Sequence, residues 1–137
     1  MVTLGVRRVL ITGDAGAGRE REFVNALESG PLGRRRLDVL VAGHHGSATS
    51  SSPTLVAATR PREVIFSSGR GNPFGHPAPA VVQRFVDAGS RVWNTAYDGA
   101  VRVVLTRSGL EVSTQRHPGW SRRSAVDVGD VGVESSP

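Results

Sequence analysis

The chain contains no cysteine and no lysine. Without cysteine there can be no disulfides, thiolate zinc sites or cysteine nucleophiles. Without lysine there can be no phosphate-loop lysine, Schiff-base lysine or Tyr/Lys dehydrogenase pair. Aromatic residues are scarce, seven in 137, and no aromatic-and-basic pattern of the kind used on single-stranded nucleic acid is visible in the sequence. No run approaches the roughly 20 apolar residues that cross a bilayer. The N-terminus has no signal-peptide layout. We therefore expect no membrane segment, and a soluble, cytoplasmic chain as given.

These absences narrow what remains. Any metal must be held by His, Asp or Glu, a donor set that suits Zn²⁺ or Mn²⁺. The length allows one domain with a hydrophobic core. Net charge is +5, and all 17 basic residues are arginine. That balance is compatible with a polyanion such as DNA, and equally with a solvated arginine-rich surface.

Apolar periodicity alternates between strand and helix. Val6–Thr12 reads as a strand ending at Gly13-Asp14. Arg19–Leu27 reads as a helix with Phe23, Ala26 and Leu27 on one face. The run Arg34-Arg35-Arg36 is read as solvated loop or, less simply, as a phosphate contact. Leu37–Ala42 is apolar enough to be a strand buried on both faces. It stops at His44-His45-Gly46, and five hydroxyls follow within Ser47–Ser52. Ser52-Pro53 begins a short helix. Glu63–Ser67 is a third strand, and a Gly/Pro-rich loop after it holds His76. Pro79–Ala88 is an amphipathic helix with Val82, Phe85 and Val86 facing the core. Arg91–Asn94 is a strand, Asp98-Gly99 a tight turn, and Ala100–Thr106 with Leu110–Thr114 a hairpin. The pattern fails from His117 on, which is expected to be a disordered tail. The expected fold class is α/β with one antiparallel element, in one domain over residues 1–116 followed by the tail 117–137.

Three places carry chemistry. Gly13-Asp14-Ala-Gly16-Ala-Gly18 resembles a phosphate loop, but Gly18-Arg19-Glu20 stands where Gly-Lys-Ser/Thr is needed, and the dinucleotide spacing is off by one. Asp14 is then either a metal-bridging carboxylate at a strand end or a helix cap. His44-His45 is a metal-ligand candidate, and its alternatives are polar surface or a packed histidine that holds the loop. His76, between Gly75 and Pro77, is a candidate ligand, general acid or substrate contact, or simply a turn histidine.

In order along the chain stand Leu-Ile-Thr-Gly-Asp14, Asp38-Val-Leu-Val-Ala-Gly-His44-His45-Gly-Ser47, Thr49-Ser-Ser-Ser-Pro53, Ser67-Ser-Gly69, Asn72-Pro-Phe-Gly-His76-Pro77 and Tyr97-Asp98-Gly-Ala100. From about Val9 to Val112 this series resembles the C-terminal half of the metallo-β-lactamase-like domain of ComEC competence proteins. The resemblance implies a partial αββα sandwich and a hydrolase acting on phosphodiesters of DNA during uptake. It implies that Asp14 bridges two metals, that His44 or His45 is a ligand, and that His76 lies at the mouth of the site as a catalytic or substrate-facing group. Ser47, Ser50 and Asn72 fall on the loops that line it. Two metals of this kind clamp the attacking and leaving oxygens and lower the pKa of bound water.

The family's first half carries a His-x-Asp-x-Asp-His motif, which this sequence does not contain. The resemblance therefore implies an upstream polypeptide that supplies the other half-domain and the membrane channel of membrane-anchored relatives. Without it the metal site is incomplete, one sheet is halved, and an apolar edge or face is left open. A non-catalytic remnant and a standalone small metallohydrolase-like domain are the alternatives.

Overall fold

Four apolar runs that each end at a glycine, serine or asparagine build the centre of the molecule, a computed structural model that describes residues 1–30 and 36–116. They are β2 (Arg7–Ile11), β3 (Val39–Val41), β4 (Glu63–Phe66) and β5 (Arg91–Asn94), all parallel. A short β1 (Val2–Leu4) pairs antiparallel with β2, giving a sheet in the order β1-β2-β3-β4-β5. β1 is not expected from the sequence. Three residues are too few to show a period, and only pairing with β2 makes them a strand.

The helices α1 (Ala17–Ser29), α2 (Pro53–Thr59) and α3 (Pro79–Asp87) are the three crossovers. Because spatial order follows sequence order, same-handed crossovers place all three on one face. Leu10, Leu40, Val64 and Phe66 meet Leu27, Val56, Val81 and Phe85 there. In each strand the neighbouring residue points the other way. Val39, Ile65 and Trp93 therefore form a second core, against Leu110 and Val112 of the hairpin β6 (Val101–Leu105) and β7 (Leu110–Thr114). The fold is α/β as expected, with helices, a five-stranded sheet and a two-stranded sheet as layers. A four-residue helix, α4 (Thr95–Asp98), occupies the place of the expected turn at Asp98-Gly99, with the Asn94 side chain as its cap.

Two helix faces differ from expectation. In α3 the buried residues are Val81 and Phe85, while Val86 is exposed. In α1 they are Glu20, Val24 and Leu27, while Ala26 is exposed and Phe23 half-buried. Periods of three and four residues both fit so short a pattern, and packing on the sheet decides between them. Strand β3 is buried on both faces as read, and Ser52 caps α2 by accepting from the Leu55 N–H at 3.3 Å. Arg36 is structural: it donates to the carbonyls of Arg60, Pro61 and Gly89. Burial and the neighbouring Arg62 and Arg60 lower its pKa, and Glu63 opposes them. Arg34, Arg35 and the expected tail from His117 lie outside the described residues.

Candidate functional site

Parallel strands end at one edge of the sheet, and ligands of open α/β folds bind along that edge. Here it carries the loops after β2 (Gly13-Asp14), β3 (His44-His45), β4 (Ser67 to Pro77) and β5 (Asn94 onward). The strand order brings together residues that are far apart in sequence.

The loop after β3 is a tight turn, Gly43–Gly46. His44, His45 and Gly46 have successive φ values of 49°, 57° and 84°. A left-handed backbone is rare for residues other than glycine and costs roughly 1–2 kcal/mol per residue, so the surroundings must hold it. The His44 N–H donates to the Gly13 carbonyl at 2.8 Å, and the Ser47 N–H to the His44 carbonyl at 2.9 Å. The Ala78 N–H donates to the Gly46 carbonyl at 2.8 Å. A Cβ on Gly46 would stand 2.6 Å from Phe66 and from Pro77, so a side chain has neither the backbone nor the room there. At Gly43 a Cβ would meet the Ala15 carbonyl at 2.9 Å, which lets the Asp14 loop pack directly on the histidine turn.

Both imidazoles are exposed. His45 Nδ1 lies 2.7 Å from the Ser67 carbonyl oxygen. A carbonyl can only accept, so Nδ1 carries a proton, and in the neutral ring the lone pair is then on Nε2. A hydrogen bond of this kind commonly fixes the tautomer and ring of a metal-ligating histidine. The His44 ring is 6.1 Å from that of His76, and His76 stacks on Phe74 at 5.8 Å. The His76 peptide to Pro77 is cis.

The remaining candidates divide. Asp14 is exposed beside the turn and does not cap α1, whose N-cap is Gly16 without a side-chain bond. Asn72 staples its own loop: its amide donates to the Gly69 and His76 carbonyls, and its oxygen accepts from the His76 N–H at 2.9 Å. Ser50 is buried and donates to the Gly43 and Ser47 carbonyls. Ser47 is buried and shares a hydrogen bond with Thr49. Among the described residues no group of three or more His, Asp or Glu side chains lies close enough to hold a metal ion.

Two features escaped the sequence reading. Glu20 is buried in α1 and accepts from the N–H groups of Ser51 and Ser52, while Arg84 of α3 donates to the Ser51 carbonyl. Two helices thus grip the hydroxyl loop. The second feature is a cleft of about 640 Å³ beside His76, over Phe66, Val82 and Val92, with Arg70, Asn94 and Tyr97 at its rim.

The same stretch of chain recurs in known proteins. It is 41% identical over 116 residues to Recombination protein 2 of Haemophilus influenzae, covering 85% of this chain. It is 35% identical over 115 residues, 84% of the chain, to Competence protein ComA of Neisseria gonorrhoeae. It is 30% identical over 93 residues, 68% of the chain, to ComE operon protein 3 of Bacillus subtilis. Its homologues are competence proteins of the ComEC family. The matched stretch is 14%, 16% and 11% of the length of these three relatives. No protein-family model matches the chain, and no solved structure does. Among the described residues no helix is long and apolar enough to cross a membrane.

Proposed function

We propose that this chain is the C-terminal half of a ComEC-type, metallo-β-lactamase-like hydrolase domain that acts on phosphodiesters of DNA during uptake. The observation that carries the reading is the convergence of Asp14, His44, His45 and His76 on one sheet edge, in a chain whose relatives are competence proteins. Asp14 and His45, through Nε2, are the donors that this chain offers to Zn²⁺ or Mn²⁺. His76 faces the substrate, with Ser47, Ser50 and Asn72 shaping the loops beneath. The other donors come from a polypeptide that supplies the remaining half-domain.

Full-chain protein given linear DNA with Zn²⁺ or Mn²⁺ is expected to show no nuclease turnover. Its zinc affinity, by calorimetry, is expected to be weak and to fall about tenfold or more in Asp14→Ala and in His45→Ala. Robust turnover that Asp14→Ala abolishes would show a complete site and overturn the half-domain reading. Zinc affinity unchanged in both variants would overturn the metal reading. A second reading, a non-catalytic remnant, draws on the absence of a three-donor group among the described residues. Translating the DNA upstream of Met1 in all frames separates the two: a His-x-Asp-x-Asp-His segment there favours the enzyme.

A further inference from the structure

We propose that the cleft beside His76 is a nucleotide subsite, which takes one unstacked base of single-stranded DNA against Tyr97. The inference rests on the reading of the edge as a DNA phosphodiester site and names where the neighbouring nucleotide sits. At about 640 Å³ the cleft is within the usual range of small-ligand pockets, about 300–1,000 Å³. Its floor is apolar and its rim carries an amide, a guanidinium and a phenol. Arg70 Nε donates to the Ala96 carbonyl at 3.1 Å, which ties the guanidinium to the same short turn that carries Tyr97.

Aromatic placement adds to this. Among the described residues, Phe66, Phe85 and Trp93 are buried and Phe23 half-buried. Among the same described residues, Phe74 is 77% exposed and Tyr97 is 67% exposed. Both stand at the histidine edge, Phe74 in the loop after β4 and stacked on His76, Tyr97 on α4 and lining the cleft. The sequence has few aromatics, but those of the described residues that are left in water are at the place where a strand of bases would pass. An aromatic face with a nearby arginine binds bases without needing their sequence. A base in a duplex has both faces covered and cannot enter a cleft of this size without leaving the stack. The fit is therefore to single strands.

The test uses the full chain in EDTA, so that no metal-dependent step bears on the result. Fluorescence anisotropy would compare a labelled twelve-nucleotide oligo-dT, an abasic oligonucleotide with the same number of phosphates, and a duplex of equal length. Oligo-dT is expected to bind about fivefold or more tightly than either of the others, the scale of one stacked base. Tyr97→Ala should remove that difference and Tyr97→Phe should keep it, with circular dichroism showing both variants folded. Equal affinity for oligo-dT and the abasic strand would overturn the proposal, as would a duplex bound as tightly as oligo-dT. A difference that persists in Tyr97→Ala would also overturn it. None of these outcomes depends on whether the edge binds metal.

Discussion

Glu20 is a charged side chain with 1% of its surface exposed. Burying a carboxylate is costly unless its oxygens are hydrogen-bonded. Here they accept from the Ser51 and Ser52 N–H groups, at the point where α2 begins and the histidine loop ends. Glu20→Ala leaves these donors without their acceptor. It is expected to cost about 2–4 kcal/mol, read as a lower urea midpoint. A midpoint within about 0.5 kcal/mol of the parent, the range of an ordinary surface change, would contradict this role. Nothing near Glu20 in sequence announces it, because its partners are 31 and 32 residues away. His44, His45 and Asp14 were legible because a strand that stops at polar groups is a local pattern. The lone pair on His45 was not, since it depends on the Ser67 carbonyl from the next strand.

At the scale of elements, α3 shows what periodicity can and cannot decide. The sequence predicts a helix over 79–88, and the helix spans Pro79–Asp87. Which face is buried was only partly legible: Phe85 lies in the core as expected, Val81 replaces Val86, and Val82 is partly buried. Phe85→Ala is expected to cost about 3–5 kcal/mol. Val86→Ala should stay within about 0.5 kcal/mol, as for other surface changes. Equal losses on denaturant unfolding would mean that the helix is rotated from the described position. The strands were read well because each is a run of apolar residues with a clear stop. β1 and α4, of three and four residues, are shorter than any period and exist through pairing and through the Asn94 cap.

Across the whole molecule the two faces of the sheet are unequally covered. Three helices close one face, and the hairpin packs over β3, β4 and β5 on the other, with Val9 of β2 partly buried against the same cluster. Pairing places Val2 opposite Val9, and Ile11 opposite Val41, on the hairpin's side. Ile11 is 58% exposed, and Val2 and Leu4 are also exposed. Val2, Leu4 and Ile11 are thus apolar side chains left in water at the β1–β2 end of the sheet. Ile11→Ser should shift the unfolding free energy by no more than about 0.5 kcal/mol, and should lower the binding of a hydrophobic dye. A loss of about 2 kcal/mol or more would show that Ile11 is covered in solution. The residues of the site were legible one at a time, but their meeting at one edge depends on the order β2-β3-β4-β5, which no local pattern encodes.

The turn at His44 to Gly46 is held by the carbonyl of Gly13, the amides of Ser47 and Ala78, and the Ser50 hydroxyl on Gly43. None of these groups belongs to an imidazole. The backbone of the turn is therefore set by backbone and hydroxyl groups, and the His45 ring adds only its bond to the Ser67 carbonyl. Asparagine tolerates the same left-handed backbone, so a lineage can exchange both histidines for it and keep the turn. Two copies of this fold can differ by these two side chains and share every backbone hydrogen bond that shapes the turn.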